Sequence, residues 1–519
     1  MTSHRGSRLL VVAALLLTAA CGSTVASHST AASGQGALGA APAGTGAQNP
    51  GNANAPTESS STSGATLPGG GTTGLASSAG TSGGTTTDTT GATTPGTATG
   101  PSKPHGSVSG QGPVSGNGFT ATTIKIGITT ASNGSDTAKS LGIKGVNQGD
   151  QVAQYQAVAD FIDKHGGILG RKIVFARYDV NVAQSANDPD GVAQAACTYF
   201  TEDQHVYAVV NTIPIASMRA CLAAHHTPTI NADQTTIGQA EFDKYADLLF
   251  GAGAMTSDLA YKLQIDSLYA RGFFTGWDTL NGRAGNAPMK IGILYPDTVD
   301  GRAIWQLNLR YLAAHGLKPT DTVGYPGTLD GVTSASHNAV LRFKQDGITH
   351  VIGSGLVFWE DAESQHYRPR YEIIPGGGYL VGANAPAAQM HGAMTVGWAP
   401  AIDVDANHDP GDPTSATGLC KSIMKANGQD YTDRTTLASM EQVCDVLFVL
   451  KDSLAAEQRI SVPALRAGIE RLSTQWLSSQ TWVSTFTTRR HASASAVRDQ
   501  TYVDSCSCFA YVSKRNRVG

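Results

Sequence analysis

A break in composition near residue 118 constrains this chain more than any other feature. Over residues 22–118 Ser, Thr, Gly, Ala and Pro dominate, the charged side chains are Glu58, Asp88 and Lys103, and large apolar residues are almost absent. Such a stretch cannot bury enough apolar surface to offset the entropy of ordering it, so it is expected to be a disordered linker. As a Gly-rich coil of about 95 residues it would have an end-to-end distance on the order of 50 to 60 Å. Its Thr and Ser density with interspersed Pro permits a glycosylated stalk. The capacity for a packed core therefore falls in residues 119–519. These are about 400 residues, more than one core usually serves, so two lobes are expected.

Ahead of the linker, His4, Arg5 and Arg8 precede an apolar run at 9–17 and the small residues Thr18, Ala19 and Ala20. This has the shape of a signal peptide, over residues 1–21, and the run is too short to cross a bilayer. Leu17-Thr-Ala-Ala-Cys21 resembles the lipobox of bacterial lipoproteins, with Thr18 where that family favours Leu. The resemblance implies that Cys21 carries membrane lipid on its sulfur and holds an extracytoplasmic protein to the outer face of the cell membrane. No later segment reaches transmembrane length. A formal net charge of −4 and the lack of any Lys/Arg run argue against nucleic acid as a partner.

Six cysteines follow Cys21, an even number in an exported chain, which points to disulfides. Pairing close in sequence, Cys197 with Cys221 and Cys420 with Cys444, is preferred. Cys506 and Cys508 remain, one residue apart, as a structural bridge or two buried thiols; a redox or metal role is the lesser reading, and no metal is expected.

Residues 119–231 alternate strand and helix: 124–129, 172–178, 206–210 and 229–231 read as strands, 152–162, 192–200 and 217–224 as helices. The rhythm restarts with a helix at 259–268, a strand at 290–295, a helix at 304–312 and strands at 350–352 and 371–374. Two α/β lobes, each a doubly wound parallel sheet, follow from this alternation, with a cleft between them. In such sheets ligands bind beyond the carboxyl ends of the strands.

Ile124-Lys-Ile-Gly127, Ser132-Asn-Gly134, Ala157-Val-Ala-Asp-Phe-Ile162, His165-Gly-Gly-Ile-Leu-Gly-Arg-Lys-Ile173 and Tyr178-Asp179 together resemble the type I periplasmic binding proteins. The likeness is to the branched-chain amino-acid-binding (Leu/Ile/Val-binding) receptors of ABC transporters in particular. It continues more weakly through Ile291-Gly-Ile-Leu-Tyr295, Tyr367-Arg-Pro-Arg-Tyr371 and 394–398. The resemblance implies two lobes joined by three crossing strands. The first would span 119–255, completed by about 397–485, and the second 256–396, completed by about 486–519. It also implies a monomer that closes on a small-molecule solute and docks on an ABC permease.

By position against that family, the first lobe should present Ser132, Asn133, Ile213, Ser217, Asn231 and Asp233 to the ligand. The second should present Tyr295, Asp300, Phe358, Trp359 and Tyr379. Plainer roles stand beside these: a helix cap for Ser217, solvated turns for Asp233 and Asp300, core packing for Phe358 and Trp359. The chain departs from amino-acid binders in two places. The loop Pro375-Gly-Gly-Gly378 carries no acid, and 212–216 lacks a Ser/Thr cluster. Enzyme signatures are thin. Phe358 stands where a dinucleotide loop opening at Gly353-Ser-Gly355 would need glycine, and there is no P-loop, nucleophile elbow or zinc-protease motif. The expected function is therefore solute binding for import without a cofactor; a lipid-anchored sensor or scaffold of the same fold is the alternative.

Overall fold

The computed structural model describes residues 115–140, 142–232, 237–514 and 517–518. Cys21, the leader, residues 22–114 and Asp233 lie outside them. The described chain begins slightly before the compositional break: Gly116 bridges to Phe119, and Lys125 N donates to Gly118 O.

The first lobe is built on β1 (Thr123–Thr130), β2 (Lys172–Asp179), β3 (Ala208–Val210), β4 (Thr229–Asn231) and β5 (Leu249–Gly251). They lie in the order β2-β1-β3-β4-β5, every pair parallel. Ile124, Ile126 and Ile128 alternate along β1 and enter one core with Tyr155, Val158 and Ile162 of the helix Gln151–Lys164. Asp150 caps that helix by accepting from Ala153 N. Val209 and Ala176 face a second core with Phe200, Met218 and Leu222, so the sheet is covered on both sides. Gly127 is required there, since a Cβ would lie 2.8 Å from Phe200.

The second lobe carries β6 (Ile291–Pro296), β7 (Asp321–Tyr325), β8 (His350–Ile352) and β9 (Arg370–Tyr371) in the order β9-β8-β6-β7, again parallel. Ile291, Ile293 and Ile352 pack with Ile265 and Leu268 on one face, while Leu294, Val351 and Tyr371 pack with Phe343 and Phe358 on the other. The strand expected at 371–374 ends early. Glu372 makes a single bridge to Met394, and Pro375 with its glycines turns the chain away. That bridge sets β10 (Met394–Gly397) beside β9, and β10 pairs antiparallel with β11 (Ala496–Val503), which pairs with β12 (Cys508–Tyr511).

The chain passes between lobes three times. Met255, Trp398 and Ala494, one from each passage, share a single apolar cluster. The last passage comes later than residue 486, because Phe486 packs on Trp476 in the first core and Ala492 bridges to Gly251. Hydrogen bonds tie the first passage to the third, Ser493 N to Gly251 O and Ala494 N to Ala254 O.

The cysteines pair as Cys197–Cys221, Cys420–Cys444 and Cys506–Cys508. The first two join consecutive helices across a sequence separation of 24 each. None of the described helices is long and apolar enough to cross a membrane.

Candidate interlobe binding site

A cavity of about 290 Å³ lies at the carboxyl ends of strands of the first sheet and takes its facing wall from the second lobe, at the start of the helix Ser257–Ala270 and in the segment after β9. That is the size of a small-solute site, for which roughly 300 to 1,000 Å³ is usual. β1 brings Thr129, Thr130 and the following Ala131, and the loop after β3 brings Asn211, Thr212, Ile213 and Pro214. From the second lobe come Ser257, Ala260 and Tyr261, then Ile374, Pro375 and the next two glycines. Trp398 of the second passage and Ser439 and Gln442 of the helix Arg434–Glu457 close it.

The loops are held by side chains one layer back. Asn231 Oδ1 accepts from Thr212 N at 3.0 Å, and Asn211 Oδ1 accepts from Ala232 N at 2.9 Å, so the ends of β3 and β4 clamp each other. Asn211 takes a left-handed φ of 46° to do this. Its Nδ2 donates to Tyr155 Oη at 3.1 Å. Burial raises the Tyr155 and Tyr261 phenols well above their usual range, so both remain neutral hydroxyls.

The structure redistributes the residues expected from sequence. Ile213 lines the cavity. Asn231 stands behind Thr212. Ser132 is turned away, its N–H and hydroxyl both donating to Asp179, which also accepts from Thr130 Oγ1. Partial burial would raise the Asp179 carboxyl, but the bonds from Ser132 and Thr130 prevail and bring it to about 2. Asn133 Oδ1 accepts from Val182 N at the start of the helix Val182–Asn187. Ser217 donates to Asp190 at 2.6 Å. Tyr295 stacks on Trp305 with centroids 4.7 Å apart. Phe358 and Trp359 are 0% and 3% exposed in the second core, where Trp359 Nε1 donates to Ser354. Tyr379 packs beside Gly145, from which a Cβ would be 3.0 Å from its hydroxyl. Asp300 does not line the cavity: both its oxygens accept from Arg219 Nη2, at 2.8 and 2.9 Å, in a buried ion pair between the lobes.

Of the segments expected from sequence, those around Ser132, Ile213 and Tyr379 adjoin or enter the cavity lining, whereas Tyr295, Asp300, Phe358 and Trp359 stand away from it, because sequence does not show which groups fasten the loops and the core. Sequence reasoning missed Gln151, Tyr155, Tyr261 and Gln442, which lie on helices with no motif to mark them. Trp398, within the segment 394–398 that carries part of the family resemblance, was the visible clue. Away from the cavity, one ligand atom each from His408, Cys506 and Cys508 lie within 4.8 Å of one another. Both sulfurs are held in the disulfide, so neither is a thiolate ligand.

Two lobes of parallel sheet, joined by three passages and enclosing a cavity at the strand ends, define the type I periplasmic binding protein fold. Solved structures share it. One is the periplasmic binding protein type 1 from Bordetella pertussis Tohama I (16% identity, TM-score 0.53, 76% of this chain and 99% of that one). Another is a branched-chain amino acid ABC transporter protein from Thermus thermophilus with bound valine (15%, 0.51, 77% and 96%). A third is a solute-binding protein of an ABC transporter from Rhodopseudomonas palustris BisB5 in complex with 3,4-dihydroxy benzoic acid (14%, 0.52, 76% and 98%). At these identities the likeness establishes the fold. No family model and no curated protein matches the chain.

Proposed function

We propose that the protein is the extracytoplasmic solute-binding component of an ABC importer, held at the membrane by lipid on Cys21 and delivering a small solute from the interlobe cavity to a permease. The observation that carries this reading is the position of the cavity, at the carboxyl ends of strands of the first sheet, walled by the second lobe and beside the passages about which the lobes would move. Its walls offer hydroxyls, amides and apolar surface, a set suited to binding rather than to bond-breaking. Attachment at Cys21 would keep the local concentration of the lobes near a membrane partner high.

A thermal-shift screen of small solutes tests it. A ligand at a hundred times its Kd stabilises the fold by about 2.7 kcal/mol, so a binder is expected to raise Tm measurably. Complete silence across a broad library of amino acids, amides, organic acids and neutral aromatics would contradict the proposal.

A further inference from the structure

We infer that the cavity takes an uncharged solute, one with an apolar body and neutral hydrogen-bonding groups such as amide, ester or hydroxyl, and that it discriminates against zwitterions and free carboxylates. The inference deepens the solute-binding reading and rests on it.

The first ground is the absence of a counter-ion. Among the described residues lining the cavity there is no Asp, Glu, Lys, Arg or His. Asp300, one of the two acids that the sequence offered to meet an ammonium group, is engaged by Arg219, and the other, Asp233, lies outside the described residues. Asp179, behind Thr130, accepts from Thr130 and Ser132 and pairs with Arg177 at 3.0 Å. An ammonium or carboxylate entering the cavity would lose its hydration without gaining a partner of opposite charge, which is strongly unfavourable.

The second ground is independent of the first, since a carboxylate can also be held by backbone N–H groups at strand ends. Here four of those donors are already engaged. Ala131 N donates to Gln151 Oε1 at 2.9 Å, Thr212 N to Asn231 Oδ1 at 3.0 Å, Gly376 N to Val396 O at 2.9 Å and Gly377 N to Ile374 O at 3.1 Å. Pro214 and Pro375 have no N–H to offer. The hydroxyls of Thr129, Thr130 and Ser439 likewise donate within the protein, to Asn211 O, Asp179 and Gln154.

What remains is neutral. Ile213, Ile374, Leu380 and Trp398 supply apolar wall, and the Gln442 amide and the Tyr155 and Tyr261 hydroxyls supply uncharged polarity. Ser257 Oγ, in the same wall, is buried and has no hydrogen-bond partner.

The test is calorimetric titration of the full-length protein with matched pairs differing in charge alone or nearly so, among them 4-methylpentanoate against 4-methylpentanamide and benzoate against benzamide, with leucine as the zwitterion, within a broader library of such pairs. The neutral member of a binding pair is expected to have the lower Kd, by about a hundredfold. Charged members that bind as tightly as their neutral partners overturn the inference and leave the solute-binding reading standing. Silence from every pair overturns the solute-binding reading and this inference with it.

Discussion

Arg219 and Gly253 show how much of this molecule is decided by single residues. Arg219, 1% exposed at its side chain, reaches from the helix Ala216–Ala224 of the first lobe to Asp300 at the start of Val299–Ala314 in the second, and also donates to Glu241 at 3.0 Å. Arg219→Met leaves Asp300 buried without its partner and is expected to cost about 3 to 5 kcal/mol by urea unfolding. Adding Asp300→Leu should recover most of that loss; a double variant no better than the single would contradict the pairing. Gly253 lies in the first passage with a φ of 77°, and a Cβ there would approach Asp445 Oδ2 to 2.8 Å. Asp445 in turn accepts from Ser479 N and Gln480 Nε2. Gly253→Ala therefore adds backbone strain to a steric clash and should destabilise by on the order of 2 kcal/mol or more; unchanged stability would show that the passage is not constrained as described. At this scale the sequence was least legible. Asp300 read equally well as a ligand contact, because nothing in its neighbours announces an arginine 81 positions away.

Between elements, buried fastenings matter as much as sheet order. The Cys420–Cys444 bridge joins the helices Ser415–Ala426 and Arg434–Glu457, and its closed loop constrains the unfolded chain. Replacing both cysteines by Ala is expected to lower stability by about 3 kcal/mol, read by the same unfolding measurement; no change would contradict that role. Glu372, beside the end of β9, accepts from Gln264 Nε2 at 2.8 Å and Gly353 N at 3.1 Å. Burial outweighs these bonds and lifts its carboxyl to about 7. A raised carboxyl favours the protonated folded state, so this group loses stability for the fold as pH rises from about 4.5 to 7, by on the order of 3 kcal/mol at most. Glu372→Gln removes the titration, so its stability relative to the unsubstituted protein should improve across that window; parallel pH profiles would refute it. Strand and helix alternation was legible at this level, since Ile-rich strands and 3.6-residue periodicity are local. β5 and β7 escaped it: β5 is three residues long, and β7 (Asp-Thr-Val-Gly-Tyr) carries little apolar signal at the edge of its sheet.

For the whole molecule, the two-lobed architecture was readable because the repeated α/β rhythm and the run around Gly166-Gly167 and Gly170-Arg171 both pointed to it. The chemistry of the cleft was not, because it depends on which donors the fold itself consumes. The central claim is that both lobes and the second passage enclose one small solute. Hydrogen exchange with mass spectrometry, with and without a solute that raises Tm, tests this most directly. Protection is expected together at 129–134, 211–214, 257–261, 374–377 and 435–443, segments that converge on the cavity from both lobes. Protection confined to one lobe, or located away from these segments, would contradict the account.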